Sequence, residues 1–279
     1  MSETGARPAI FITGAASGIG RETARLFAGK GWLVGAADID RQGLDRLEQE
    51  LGQENCHVGA LDVTRRPEWD GALSAFAAAS GGRMDLFFNN AGIGYGGFFE
   101  EVPEETAAKI IAVNFQGAVN GIYACLPLLR ETAAARGVAR IVNTGSASGI
   151  IGAPRLAVYA ATKFAVRGLT DSLYLEFARY GIEVTELQPW FLDTPILDSV
   201  EREDGKSGLE QLQERNVEVL PAELAARAVW AAAYARSPVI HRAVGGPARM
   251  AQILARLMPG FTRRRIAKQL EEAVAAEAS

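Results

Sequence analysis

Short, largely apolar runs alternate along this chain with longer stretches whose apolar residues recur every three or four positions. The runs are Ala9-Ile-Phe-Ile-Thr13, Trp32-Leu-Val-Gly-Ala-Ala37, residues 57–61, Asp85-Leu-Phe-Phe88, Ala139-Arg-Ile-Val-Asn-Thr144 and residues 182–187. Such near-continuous apolar character belongs to strands covered on both faces rather than strands with one wet side. The longer stretches predict helices over 18–30, where Ile19, Ala24, Leu26 and Phe27 form the stripe, and over 44–51, 67–79, 103–129, a segment ending near Tyr180, and 224–236. Proline near the start of the 67–79 helix wastes no hydrogen bond, because its missing N–H would be unpaired there anyway. A short strand is expected at 239–241. Strand following helix in this way predicts an α/β fold, a doubly wound parallel sheet of about seven strands with helices on both faces. Ligands of such sheets sit at the carboxyl ends of the strands.

Length and composition narrow the picture without changing it. A chain of 279 residues suits one domain over 1–279, and no linker or repeat divides it. The net charge of -4 is not the footprint of a nucleic-acid binder. Cys56 and Cys125 make no disulfide framework and fit a reducing compartment; Cys125, among Ile122, Leu126 and Leu128, reads as a small buried hydrophobe. His57 and His241 are isolated, so no metal site is expected. The first strand follows no charged-then-apolar leader, and no apolar run reaches the ~18 residues of a spanning helix. A cytoplasmic chain with no integral membrane segment is the expectation.

Candidate chemistry gathers in three places. Thr13-Gly-Ala-Ala-Ser-Gly-Ile-Gly20 joins the first strand to the first helix, and its glycines at 14, 18 and 20 allow a tight turn and close backbone approach to a ligand. The N–H groups and positive dipole end of the following helix suit a pyrophosphate, with Ser17 and Ile19 in the same turn. Asp38 closes the second strand, where a carboxylate accepts both ribose hydroxyls of an adenosine and repels a 2′-phosphate. Neither Ser17 nor Ile39 offers NADP a positive charge, so NAD is preferred and NADP is the lesser choice. Asp62 and Val63, after the third strand, are placed to meet an adenine; a loop cap is the plainer role for the acid. In the third place, Tyr159 and Lys163 are four apart and share a helix face. An ammonium held near a phenol lowers its pKa from the usual value of about 10, which equips Tyr159 as a general acid or base. Ser146, upstream at a strand end, can offer a hydroxyl to the same substrate oxygen. Taken alone, a tyrosine and a lysine so spaced are more often an ordinary surface pair.

Together the segments Thr13 to Gly20, Asn89-Asn-Ala-Gly92, Asn114, Ser146 and Tyr159-Ala-Ala-Thr-Lys163 resemble the short-chain dehydrogenase/reductase family, in its compact single-domain branch, across roughly residues 9–200. The glycine spacing Gly-x-x-x-Gly-x-Gly is itself a mark of that family. The resemblance implies a Rossmann-type fold and a tetrad. Tyr159 exchanges the proton, Ser146 stabilises the substrate oxygen, Lys163 holds the nicotinamide ribose and tunes the tyrosine, and Asn114 holds a relay water. Ser148 is a rival hydroxyl, and the family's spacing selects Ser146. The resemblance also places Asn90, Ala91, Gly92, Pro189, Phe191 and Thr194 along the cofactor, Thr194 at the carboxamide. One segment departs from the family's pattern: in Gln188-Pro-Trp-Phe-Leu-Asp-Thr194, Trp190 stands where glycine is usual. The ring either lines the substrate pocket or packs under the loop. Relatives in the family form homotetramers or homodimers.

On the substrate side, Ile93, Gly94, Tyr95, Ile150, Ile151, Ala153, Leu156, Trp190 and Phe191 are the candidates, nearly all apolar. Arg155 is the exception, and reads as a solvated loop residue. This lining fits a lipophilic or aromatic secondary alcohol or ketone. Residues 195–219, charged and with Gly205 and Gly208, are expected to form a lid. Residues 245–279 read as two helices broken at Pro259-Gly260, either covering a subunit or, with Arg263, Arg264 and Arg265, touching a membrane surface. The resulting expectation is an NAD-dependent oxidoreductase acting on CH–OH groups. The alternatives are a dinucleotide sensor or scaffold without turnover, and a related NAD-using isomerase.

Overall fold

The structure, a computed structural model, describes residues 7–197, 207–214 and 216–277. Its centre is a sheet of seven parallel strands in the order β3-β2-β1-β4-β5-β6-β7. These are β1 (Ala9–Thr13), β2 (Leu33–Asp38), β3 (Cys56–Ala60), β4 (Leu86–Asn89), β5 (Ala139–Thr144), β6 (Ile182–Pro189) and β7 (His241–Val244). Alternation along each strand feeds two cores. Phe11 and Phe87 join Trp69, Phe76, Leu129 and Val184 on one face. Ile10, Ile12 and Phe88 join Phe27, Trp32, Leu44, Leu187 and Val229 on the other. Because strand order reverses between β1 and β4, their carboxyl ends part to leave a crevice.

The helices cover both faces: α1 (Gly18–Gly29), α2 (Arg41–Leu51), α3 (Arg66–Ser80), α4 (Glu104–Ile111), α5 (Gly117–Arg136), α6 (Ala157–Phe177), α7 (Gly208–Glu214), α8 (Glu223–Ala233), α9 (Gly246–Leu257) and α10 (Pro259–Glu277). The helix expected over 103–129 is interrupted by a π-helical turn, Ala112–Gln116, which the apolar periodicity does not betray. The whole stretch Glu104–Arg136 is long and apolar enough to cross a membrane by length and composition; here Cys125, Leu129 and Ala133 are buried against the sheet instead. Burial pushes the Cys56 thiol up to about 12 and the Cys125 thiol well above its ordinary value, so neither is a nucleophile.

Two expectations need correction. The last strand begins at His241 rather than 239, because β6 sets the register, pairing Glu186 with His241 and Pro189 with Val244. The predicted lid at 195–219 falls partly, over 198–206 and at 215, outside the described residues. The two helices of the C-terminal extension meet at Pro259-Gly260 as expected and leave Leu257, Met258 and Phe261 exposed.

Candidate active site

The turn between β1 and α1 is made by glycines in the left-handed region, Gly14 at φ +67° and Gly18 at φ +49°. Gly20 is needed for a different reason, since a Cβ there would lie 2.0 Å from the Gly14 carbonyl oxygen. Ser17 is the N-cap of α1 and makes no side-chain cap bond, which leaves first-turn N–H groups to face an anion. Asp38 is held at the rim by two backbone donors, Ala16 N to Oδ2 and Asp40 N to Oδ1, both at 3.0 Å. The Asp62 carboxylate accepts from Thr64 N at 2.9 Å and Thr64 Oγ1 at 2.7 Å. Asn90 ties three strand ends together: its amide donates to Thr13 O at 3.0 Å and its oxygen accepts from Thr144 Oγ1 at 3.0 Å.

Across the crevice α6 carries Tyr159 and Lys163. Lys163 is 3% exposed; its Nζ donates to Thr144 O at 2.9 Å and lies 5.5 Å from the centre of the Tyr159 ring. Ser146 begins the tight turn Ala147–Gly149, its Oγ accepting from Ser148 N at 3.1 Å while its hydroxyl also hydrogen-bonds the Tyr159 phenol. Burial pushes Lys163 down to about 8, opposed by the charge of Glu186. Burial likewise pushes the Tyr159 phenol up, opposed by the bond to Ser146. This reverses the expected direction: in the protein alone, loss of hydration outweighs any help from the lysine. Asn114 sits on the π-helical turn with its side chain committed. Its oxygen accepts from Ile93 N at 2.8 Å, and its amide donates to Ile93 O at 2.9 Å and Thr162 Oγ1 at 3.3 Å.

Both halves open on one cavity of about 850 Å³. Gly14, Ser17, Gly18, Ile19, Asp38 and Ile39 line one end, with Asp62 and Val63 beside them. Asn90, Ala91 and Gly92 form the middle, and Ser146, Tyr159, Lys163, Pro189, Phe191 and Thr194 surround the other end. Gly20 and Asn114 stand behind this wall. Of the substrate candidates, Ile93, Gly94, Ala153, Leu156, Trp190 and Phe191 line the cavity, while Tyr95, Ile150 and Ile151 lie off it. The wall is completed there by Arg155, with its guanidinium 4.4 Å from the centre of the Phe98 ring, and by Ile196, Leu197 and Leu212. Trp190 thus faces the pocket rather than packing under its loop.

The sequence pattern of the short chain dehydrogenase family matches residues 8–205. The chain belongs to this family. A cyclohexanol dehydrogenase of Acinetobacter is 34% identical over 192 residues, 68% of this chain and 75% of that protein. Among solved structures, a 3-ketoacyl-(acyl-carrier-protein) reductase from Brucella melitensis complexed with NADH superposes with a TM-score of 0.78 at 28% identity, covering 86% of this chain and 98% of the other. A serine dehydrogenase in its closed form, complexed with NADP+, gives a TM-score of 0.77 at 27% identity, covering 84% of this chain and 93% of the other. Short-chain dehydrogenases are oxidoreductases, and both kinds of nicotinamide dinucleotide occur among these neighbours.

Three residues of this dehydrogenase's site were missed at the level of sequence. Thr144 anchors Lys163 through its carbonyl. Glu186 and His241, beneath the Ser146 and Lys163 end of the cavity, are paired at 2.6 Å. A signal for Glu186 existed: it is an acid inside a strand whose flanking sequence reads as buried.

Proposed function

We propose that this short-chain dehydrogenase uses NAD to interconvert a lipophilic secondary alcohol and its ketone, with Tyr159 as general acid and base. The observation that carries the reading is the single cavity with the glycine turn and Asp38 at one end and Ser146, Tyr159 and Lys163 at the other. The residues fit a dinucleotide. A Cβ on Gly14 would come within 3.0 Å of Ala91 Cα, so the turn is already as close as glycine permits. Asp38 presents an oriented carboxylate, while Arg41, the next cation along the chain, is paired with Asp45 at 2.9 Å rather than free to meet a 2′-phosphate. These features favour NAD over NADP.

When bound, NAD supplies the hydride acceptor at the reactive carbon, and NADH the donor. During oxidation the Tyr159 phenolate takes the proton of the substrate hydroxyl, and during reduction the phenol returns it. Ser146 donates to the substrate oxygen as negative charge develops there. Lys163, charged below about pH 8, opposes the burial that holds the phenol protonated. Asn114 has spent its side chain on Ile93 and Thr162, so a relay water would have to rest on its backbone. Trp190, Leu156 and Ile196 supply an apolar substrate wall, and the cyclohexanol dehydrogenase relative is consistent with an apolar alcohol.

NADH formation from NAD and a panel of secondary alcohols, from short aliphatic to aryl and steroid-sized, tests this reading, with NADP in parallel. Turnover with NAD that falls by about 10³-fold or more in Tyr159→Phe is expected. Tyrosine-independent turnover would remove the acid–base assignment, preference for NADP the reading of Asp38, and efficient use of small anionic substrates alone the apolar pocket.

A further inference from the structure

Among the described residues, the buried charged side chains are Lys163 and Glu186, the latter 0% exposed. A carboxylate buried without compensation is strongly destabilising, so one that persists needs partners. Oε2 has them: Gln188 Nε2 donates to it at 2.8 Å and His241 Nδ1 lies 2.6 Å away. Oε1 is buried with no hydrogen-bond partner. It lies against Gly145, where a Cβ would fall 1.9 Å from it. Gly145 is flanked by Ser146 and by Thr144, the residue whose carbonyl receives Lys163 Nζ at 2.9 Å. The carboxylate therefore sits directly under the strand end that holds both the lysine and the serine.

From Glu186 a row of groups runs outward. His241 Nε2 lies 2.8 Å from Asp171 Oδ1, and the Asp171 side chain is 55% exposed. The C-terminal extension braces this row: Gln252 of α9 donates to Gln188 Oε1 at 2.6 Å and to His241 O at 3.2 Å. The facing groups can be named element by element. On α6 they are Lys163 and Asp171, with Tyr159 bonded to Ser146 and Arg167 turned to Gly149 O at 3.3 Å. On β7 the group is His241, since Arg242, next along the strand, alternates to the other face. The facing groups of β5 and α9, Asn143 and Gln252, are neutral, and α8 packs with Leu187 on the opposite face.

We propose that Glu186 is a positioning residue of the catalytic centre, its buried carboxylate keeping Lys163 in the ammonium form while His241, set between Glu186 and Asp171, tunes how strongly it does so. The inference rests on the reading of Lys163 as the partner of Tyr159. Electrostatics agree in sign. Burial lowers Lys163 and Glu186 alone opposes it. Burial also works against a charged His241, yet the hydrogen bonds and charges of Glu186 and Asp171 outweigh it and raise the imidazole. A proton that His241 directs at Glu186, from a charged imidazolium or from a neutral Nδ1–H, draws on the carboxylate and weakens what it can do for the lysine. The two neighbours therefore act on Lys163 in opposite directions, which no merely structural role predicts.

Lysine labelled with ¹³C at Cε gives the direct test, because the chain has only five lysines and Lys163→Met assigns the signal. The wild-type signal is expected to titrate near pH 8. Glu186→Gln should lower the midpoint by about one unit, a tenfold loss of proton affinity, and His241→Asn should raise it. An unmoved midpoint in Glu186→Gln, or a downward move in both variants, would overturn the proposal. Should Glu186→Gln not fold, His241→Asn and the surface variant Asp171→Asn decide the matter: upward shifts support the proposal, and unmoved midpoints in both sink it. The titration needs no turnover, so its failure is separable from failure of the dehydrogenase reading, which would show as a wild-type protein forming no NADH. With turnover in hand, the alkaline limb of kcat/KM in Glu186→Gln should move to lower pH together with the NMR midpoint.

Discussion

Tyr159 and Lys163 are one helical turn apart, and burial drives each towards its neutral form, the phenol up and the ammonium down to about 8. In the proposed mechanism, ketone reduction needs a proton on Tyr159 and a charge on Lys163. Its kcat/KM for NADH, which reports the free enzyme, should therefore fall as pH rises through about 8. Lys163→Arg, whose guanidinium keeps its proton throughout, should be slower but lack that limb. Measured pH–rate profiles for the two proteins decide it, and a wild-type profile flat from pH 7 to 10 would take lysine ionisation out of the mechanism. The partnership itself was legible in the sequence, because a spacing of four on a helix fixes who faces whom. Its electrostatics were not. Hydration is lost to groups remote along the chain, and the charge that opposes the loss comes from Glu186 on another element.

Elements were legible in proportion to how uniformly they are buried. β1 and β5 have the limits that their runs indicate, since a strand covered on both faces carries the apolar signal through most of its length. β7 was misplaced because His241-Arg-Ala-Val244 is a polar edge strand whose limits come from pairing with β6. The π-helical turn at Ala112–Gln116 is equally silent, because one inserted residue barely disturbs an apolar stripe. The seat of α1 matters most for function, since that helix aims its N-terminus at the cofactor end of the cavity. Phe27, 0% exposed, fixes this seat through edge-on contacts at 4.9 Å with Trp32 and 5.0 Å with Trp230. Phe27→Ala should destabilise the fold by about 3–5 kcal/mol. Tyr234→Phe, which loses only the hydroxyl that accepts from Trp32 Nε1 at 3.1 Å, should cost about 1 kcal/mol. Urea unfolding of both measures the difference, and equal effects would mean that the ring cluster does not hold the helix.

At the scale of the whole molecule, the cavity joins pieces that local pattern cannot bring together, which is why Tyr95 and Ile151, expected on its wall, lie off it, while Ile196 and Leu212, expected only as part of a lid over 195–219, line it. Motifs far apart in the chain meet on one cavity because strand ends of a parallel sheet converge on one crevice. The same convergence imposes a global penalty, because placing Lys163 there buries a charge. Its pKa in the folded protein, about 8, lies below the ordinary 10.5. Between those two pH values the native state binds fewer protons than the unfolded chain, so this residue makes stability rise with pH across that window and leaves its full penalty in place below it. The shift corresponds to about 3 kcal/mol. Lys163→Met removes the titration while keeping much of the bulk. The stability of the wild-type protein relative to this variant should therefore improve by as much as about 3 kcal/mol from pH 8 towards 10.5, with activity lost in the variant at every pH. Urea midpoints at pH 7.5 and 9.5 suffice to check it. A gap between the two proteins that stays constant would show that Lys163 is not a buried cation at neutral pH, and would leave the carboxylate of Glu186 without its counter-charge.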